Sequence, residues 1–290
     1  MDARTGIALR STVFSQDLTR RIAAEVDGSL SSVWFPAVSS LTDPLDLCAL
    51  SLGATKHLDA GTGVIRLPEH DLARLARRVD ELNRASANRF FLGVGTGRLT
   101  GRAAVDLLVG LAGQLRSAYP GISSVPVCFA ALGPRMVRAA FQAADGVLLN
   151  FCSPRYASTV MSREIPRKKD NFHVACYVKF FFAEAESEAR LMLAEEFLHY
   201  DAIPQYHRMF EAMGITGVIE GFSDRREVSE RLLAGEISEI SLSNPTQSQV
   251  LGLLGKFREA GVDTPVVYPY VKGSDDYKLQ LVKTLRDWLD

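Results

Sequence analysis

The sequence is short of net charge and of long apolar runs. Thirty-three Lys and Arg stand against 34 Asp and Glu, a balance of -1, so no basic field draws nucleic acid to the chain. No stretch reaches the roughly 18 apolar residues of a membrane span, and the start, Met1 to Arg4, has no hydrophobic signal region. No nucleic-acid or membrane partner is expected, and the default compartment is the cytoplasm. Cysteine is scarce: Cys48, Cys128, Cys152 and Cys176 form no C-x-x-C pair. They read as small buried apolar residues and not as zinc ligands. No H-E-x-x-H or comparable spacing occurs, so no metal is expected. Linkers, low-complexity tracts and solenoid repeats are also missing, and residues 1–290 read as a single domain.

What is present is alternation. Strands are predicted at Gly6–Leu9, Ser32–Phe35, His57–Gly61, Phe90–Val94, Pro126–Ala130, Gly146–Asn150, Phe172–Phe180 and Thr264–Tyr268. The central ones are short, apolar on both faces and rich in Val, Leu and Phe, as strands buried on both sides of a parallel sheet are. Helical spacing recurs between them. Leu72, Leu75, Ala76, Val79 and Leu82 share one face, as do Met136, Val137, Ala140 and Phe141. Asn244 and Pro245 read as a helix start, Gly261 as its stop, and a last helix begins near Ser274. Eight strands alternating with helices predict a (β/α)₈ TIM barrel. The interval between the seventh and eighth strands is too long, and residues 190–243 read as a helical insertion covering the barrel. An open doubly wound sheet is the alternative, but its glycine fingerprint follows the first strand. Here the glycine turns follow the third and fourth.

Those turns carry the functional signal. Phe90 to Val94 runs into Gly93-Val-Gly-Thr-Gly97, and the preceding strand ends in Gly61-Thr-Gly-Val64. Glycine permits close backbone approach, and helix starts offer free N–H groups to anions. Two such turns at successive strand ends suggest one phosphate-bearing ligand lying across the sheet. No Gly-Lys-Ser/Thr follows, so this is not a Walker loop. Arg98 and Arg102 flank the second turn and could pair with a phosphate. Arg167-Lys-Lys169 reads as a solvated loop on the remote face.

In order and spacing these segments resemble the luciferase-like flavin and deazaflavin family, over most of the chain. The carriers are Ser32 to Pro36, Asp43-Pro44-Leu45, Ala60 to Val64 with Pro68, Ala73–Leu82, Arg89 to Gly97, and Ala130 to Met136 leading into Ala144 to Asn150. The resemblance implies a TIM barrel binding coenzyme F420, with FMN as the alternative, and often a homodimer. Its methylene-tetrahydromethanopterin reductase and alcohol dehydrogenase relatives favour the F420 branch. The activity implied is hydride transfer between the deazaflavin and a small organic substrate. An FMN monooxygenase and a non-catalytic cofactor-binding relative are the alternatives.

The resemblance also implies the site. Gly61, Thr62, Gly63 and Val64 would back the ring, with a cis peptide at Gly63–Val64. Gly95, Thr96 and Gly97, then Ala131, Leu132, Gly133 and Pro134, would hold the tail, with Arg135 adding charge. One departure stands out. Many F420 relatives end the second strand with Asp or Asp-His, where this chain has Pro36 and Ala37, then Val38-Ser39-Ser40. No catalytic residue is assigned. His70, in the loop after the third strand, and Tyr177 are the candidates, with Asn150 and Lys179 also able to reach the mouth. His57 and His173 should start strands on the remote face, and His199 and His207 fall in the insertion.

Overall fold

Runs of Val, Phe, Leu and Trp form β1 (Gly6–Ala8), β2 (Ser32–Phe35), β3 (Asp59–Thr62), β4 (Ile65–Arg66) and β5 (Phe90–Gly95). They continue as β6 (Val127–Ala130), β7 (Gly146–Asn150), β8 (His173–Phe182), β9 (Ser241–Ser243) and β10 (Thr264–Val271). This is a computed structural model, and it describes residues 4–38, 42–97, 99–165, 168, 171–215 and 236–290. Arg98, Ser39, Ser40, Arg167 and Lys169, all singled out in the sequence, lie outside those residues.

Every strand pairing is parallel. The order β10-β1-β2-β3-β5-β6-β7-β8 closes on itself because β8 also pairs with β10, from Ala175↔Thr264 to Phe182↔Val271. This is the expected eight-stranded barrel. Two short strands are additions that the sequence does not signal. β4 pairs with β5 beyond the end of β3, and β9 pairs with the upper part of β8.

The outer helices are α1 (Gln16–Val26), α2 (Pro44–Ala54), α3 (Leu72–Ala85), α4 (Gly101–Ala118), α5 (Pro134–Ala143) and α6 (Pro154–Glu164). After β8 come α7 (Glu186–Asp201) and α8 (Pro204–Met213), then α9 (Gln247–Glu259) and α10 (Asp275–Leu289). The inserted helices therefore begin at Glu186, earlier than the expected 190.

Local chemistry moves two predicted boundaries. β3 starts at Asp59 and not at His57, because the Asp27 carboxylate takes the N–H groups of Lys56, His57 and Leu58 at 2.8 to 2.9 Å. His57 is left exposed at the floor of the barrel. α9 starts two residues after Pro245: Thr246 is its cap, in a reciprocal capping box with Gln249. Asn244 instead bonds the Ala183 N–H and C=O at 3.0 and 2.9 Å, fastening the end of β8.

Candidate functional site

The C-terminal rim of the barrel is where β3, β5, β6 and β7 release their loops. β3 ends on the cis peptide Gly63–Val64, as the family resemblance implies. Thr62 is buried and locks the rim from behind: its hydroxyl donates to Gly93 O at 2.8 Å and accepts from Gly93 N at 3.0 Å. A side chain at Gly93 would meet Thr62 O at 1.9 Å, and one at Gly61 would meet the Trp34 ring at 2.8 Å. Gly61, Thr62 and Gly93 are thus small or polar because strands pack there. None of the three lines the cavity.

The front of the rim is different. Gly63, Val64, Gly95, Thr96, Gly97, Ala131, Leu132, Gly133 and Pro134 all line one cavity of about 1660 Å³. At Gly97 the backbone is left-handed, with φ 64°. Pro134 opens α5 with Gly133 as a cap that offers no side-chain acceptor; its carbonyl accepts from Met136 N and Val137 N at 3.1 Å, and the Arg135 N–H receives nothing from it. Tyr156 fixes the turn, donating to Leu132 O at 2.8 Å.

The inner end of the cavity is walled by Leu148 and Asn150 of β7 and Tyr177 of β8. The Tyr177 hydroxyl donates to Gly63 O at 3.3 Å. Burial, with Tyr268 beside it, pushes that hydroxyl's pKa well up, so it stays protonated. Asn150 Nδ2 donates to Tyr206 Oη at 2.6 Å, bringing α8 onto the rim.

Beside this wall the barrel mouth is filled. Lys179 of β8 is fully buried and bonds Glu196 of α7 at 2.8 Å and Tyr270 Oη at 3.1 Å. Its ammonium lies 3.7 Å from the Tyr200 ring centroid and 4.5 Å from that of Phe151, within cation–π range. Burial would raise the Glu196 pKa, but the charge of Lys179 and its hydrogen bonds to Lys179 and Tyr270 hold it below the usual range. Lys179 therefore pins α7 and does not face the cavity. His70 is exposed and also does not line it.

Among the described residues the outer cavity is cationic, with Arg66, Arg135, Arg155, Arg163 and Arg208 lining it against one acid, Glu211. Arg66 pairs with Glu69 at 3.7 Å. Among the described residues the other four arginines have no ion-pair partner. Sequence reading identified Arg135 and missed the rest. Arg155, Thr159 and Arg163 recur every fourth residue and all line the cavity, a helix-face signal that was available. Tyr206, Gln205 and Arg208 line it from α8. His199 reaches it from α7, as an insertion residue could. Unpaired arginines beyond a glycine rim suit a ligand with an uncharged ring and an anionic tail.

Comparisons place this geometry among known proteins. No curated protein sequence matches the chain. Solved structures share the fold over almost the whole length. One is the coenzyme F420 dependent tetrahydromethanopterin reductase of Methanopyrus kandleri, at 16% identity and TM-score 0.72, covering 98% of each chain. An F420-dependent secondary alcohol dehydrogenase in complex with an F420-acetone adduct aligns at 15% identity and TM-score 0.68, covering 100% of each. The oxygenating constituent of 3,6-diketocamphane monooxygenase from Pseudomonas putida, in complex with FMN, aligns at 14% identity and TM-score 0.67, covering 100% of this chain and 98% of that one. Residues 16–106 and 109–264 match the luciferase-like monooxygenase family, and the chain belongs to that family.

Proposed function

We propose that the protein is an F420-dependent oxidoreductase that moves a hydride between the deazaflavin and a small organic substrate. Family membership supports an oxidoreductase using flavin or deazaflavin. The observation that favours F420 is the row of arginines on α5, α6 and α8. FMN ends in one phosphate. F420 continues past its phosphate into glutamate carboxylates, and Arg135, Arg155, Arg163 and Arg208 give such a tail several partners along 1660 Å³ of cavity.

The cofactor supplies the hydride chemistry, and the chain supplies position. The Gly63–Val64 bulge would back the ring, with Gly95 to Gly97 and Leu132 to Pro134 along its tail. At the inner wall Tyr177 holds its proton through neutral pH and can only donate it. The β2 end carries no acid, since Pro36 and Ala37 occupy it. The same reading takes a homodimer in the cytoplasm.

Separate titrations of the purified protein with F420 and FMN, following ring fluorescence, test this. Saturable binding of F420 alone is expected. Binding of FMN alone would move the reading to the monooxygenase branch, and binding of neither would remove the cofactor sites.

A further inference from the structure

A hydride transfer leaves a proton to be placed, and the end of β2 carries no acid to place it. Few groups lining the cavity can move one. Arginine keeps its charge. The Tyr156 and Tyr177 hydroxyls donate to Leu132 O and Gly63 O. Burial, with Tyr200 beside it, pushes the pKa of Tyr206 well up, so Tyr206 is no base at neutral pH. Among the described residues that leaves Glu211 and His199. Glu211 faces His207, 3.6 Å away. His199 is exposed, lines the cavity and has no hydrogen-bond or ion-pair partner among the described residues. Its place follows from the helix. Glu196, His199 and Tyr200 share one face of α7 by their spacing. Glu196 bonds Lys179 in the mouth, and the Tyr200 ring centroid lies 3.7 Å from the same ammonium. Tyr200 also packs on Tyr206, with centroids 4.3 Å apart, and Tyr206 is bonded to Asn150 of the inner wall. His199 is therefore carried to the edge where the filled mouth gives way to the cavity. Neighbouring acids on α7 are already engaged, Glu196 with Lys179 and Arg10, and Asp201 with His207 at 2.9 Å.

We propose that His199 is a catalytic residue that exchanges a proton with the oxygen of an alcohol or carbonyl substrate. The inference rests on the cofactor reading above and gives its substrate a class. Imidazole is the side chain that both takes and gives a proton near neutral pH. In the oxidative direction the carbinol carbon gives up a hydride, with its two electrons, to the deazaflavin, which is reduced. The hydroxyl proton passes to a free imidazole nitrogen as the C–O bond becomes a carbonyl, and the imidazolium releases that proton to water. Reduction of a carbonyl runs the same steps backward. Val64, Leu148, Ile203 and Met209 line the same cavity and suit a hydrocarbon body beside the hydroxyl.

Fluorescence titration of wild type with F420 comes first and judges the cofactor reading alone; without binding, both fall. His199→Ala and His199→Gln, checked for folding by melting curves, should bind F420 within about twofold of wild type, because the imidazole serves the substrate. The imidazole proton resonances of the five histidines are then followed during the titration, with that of His199 assigned by its loss in His199→Gln. Its line should move as the aromatic ring binds nearby, while that of His70, outside the cavity, stays in place. A His199 line that stays in place overturns the proposal. Turnover of propan-2-ol, cyclohexanol and benzyl alcohol is the second readout. In both variants kcat should fall about a hundredfold or more, and added imidazole should restore part of it in His199→Ala, which a merely structural role would not allow. A kcat within about threefold of wild type overturns the proposal, as does F420 affinity lost in the variants. So does a wild type that binds F420 and oxidises none of the three alcohols, which leaves the cofactor reading standing.

Discussion

At Gly63 the barrel has no room for another carbon. A Cβ there would sit 1.7 Å from the Tyr177 hydroxyl oxygen, the group that closes the inner wall. Gly63→Ala should lower stability by about 1–3 kcal/mol, the usual effect of overpacking, and a denaturant midpoint measures it. Asp59 on the floor is a second residue with a predictable effect. Burial raises its carboxyl pKa to about 6, against the lowering charges of Arg4 and Arg89. The folded value lies above the unfolded 3.8. Its stabilising contribution is therefore complete below 3.8 and is lost as pH rises through 6. Asp59→Asn should raise stability at pH 8 by on the order of 1 kcal/mol after solvent screening, and should change little at pH 4. Thermal melts at the two pH values decide it. At this scale the sequence was half legible. Glycine facing a cavity and glycine against a neighbouring strand look the same in one dimension. That is why Gly61 and Gly93 read like Gly95 and Gly97.

At the scale of elements, β8 joins the two halves of the mouth. Tyr177 and Lys179 are two residues apart on one face of the strand, one walling the cavity and the other pinning α7. Lys179→Met would leave half-buried Glu196 with Arg10, at 3.6 Å, and the Tyr270 hydroxyl as its partners, and should destabilise the fold by about 1–3 kcal/mol. Lys179→Met with Glu196→Leu should recover much of that, and urea unfolding of the two variants beside wild type compares them. The barrel strands were legible because burial on both faces writes a continuous apolar run. Their true ends were not, since β8 and β10 run on to Phe182 and Val271 by pairing with each other. The role of α7 was hidden as well. It buries Leu193 and Phe197 and turns a carboxylate inward beside them, so its apolar stripe is interrupted at the position that matters.

For the whole molecule, a balance of -1 conceals a strongly positive cavity. Composition averages over a surface, and only the fold reveals that α5, α6 and α8 bring their arginines to one place. If the cofactor is F420 as proposed, its affinity should therefore fall severalfold as ionic strength rises from about 0.01 to 0.15 M, because screening shortens from about 30 to 8 Å. An isothermal titration series in NaCl gives the slope, and Arg155→Met should flatten it. The closure of the barrel has a consequence for synthesis. The ring of strands is sealed by β10, which lies between β8 and β1 and follows the other barrel strands in the chain. Until Thr264 to Val271 leave the ribosome, a nascent chain already holding seven strands has two bare margins of unpaired backbone. Exposed edges of this kind recruit other strands. The eight residues of β10 are what turn an adhesive sheet into a self-contained cylinder.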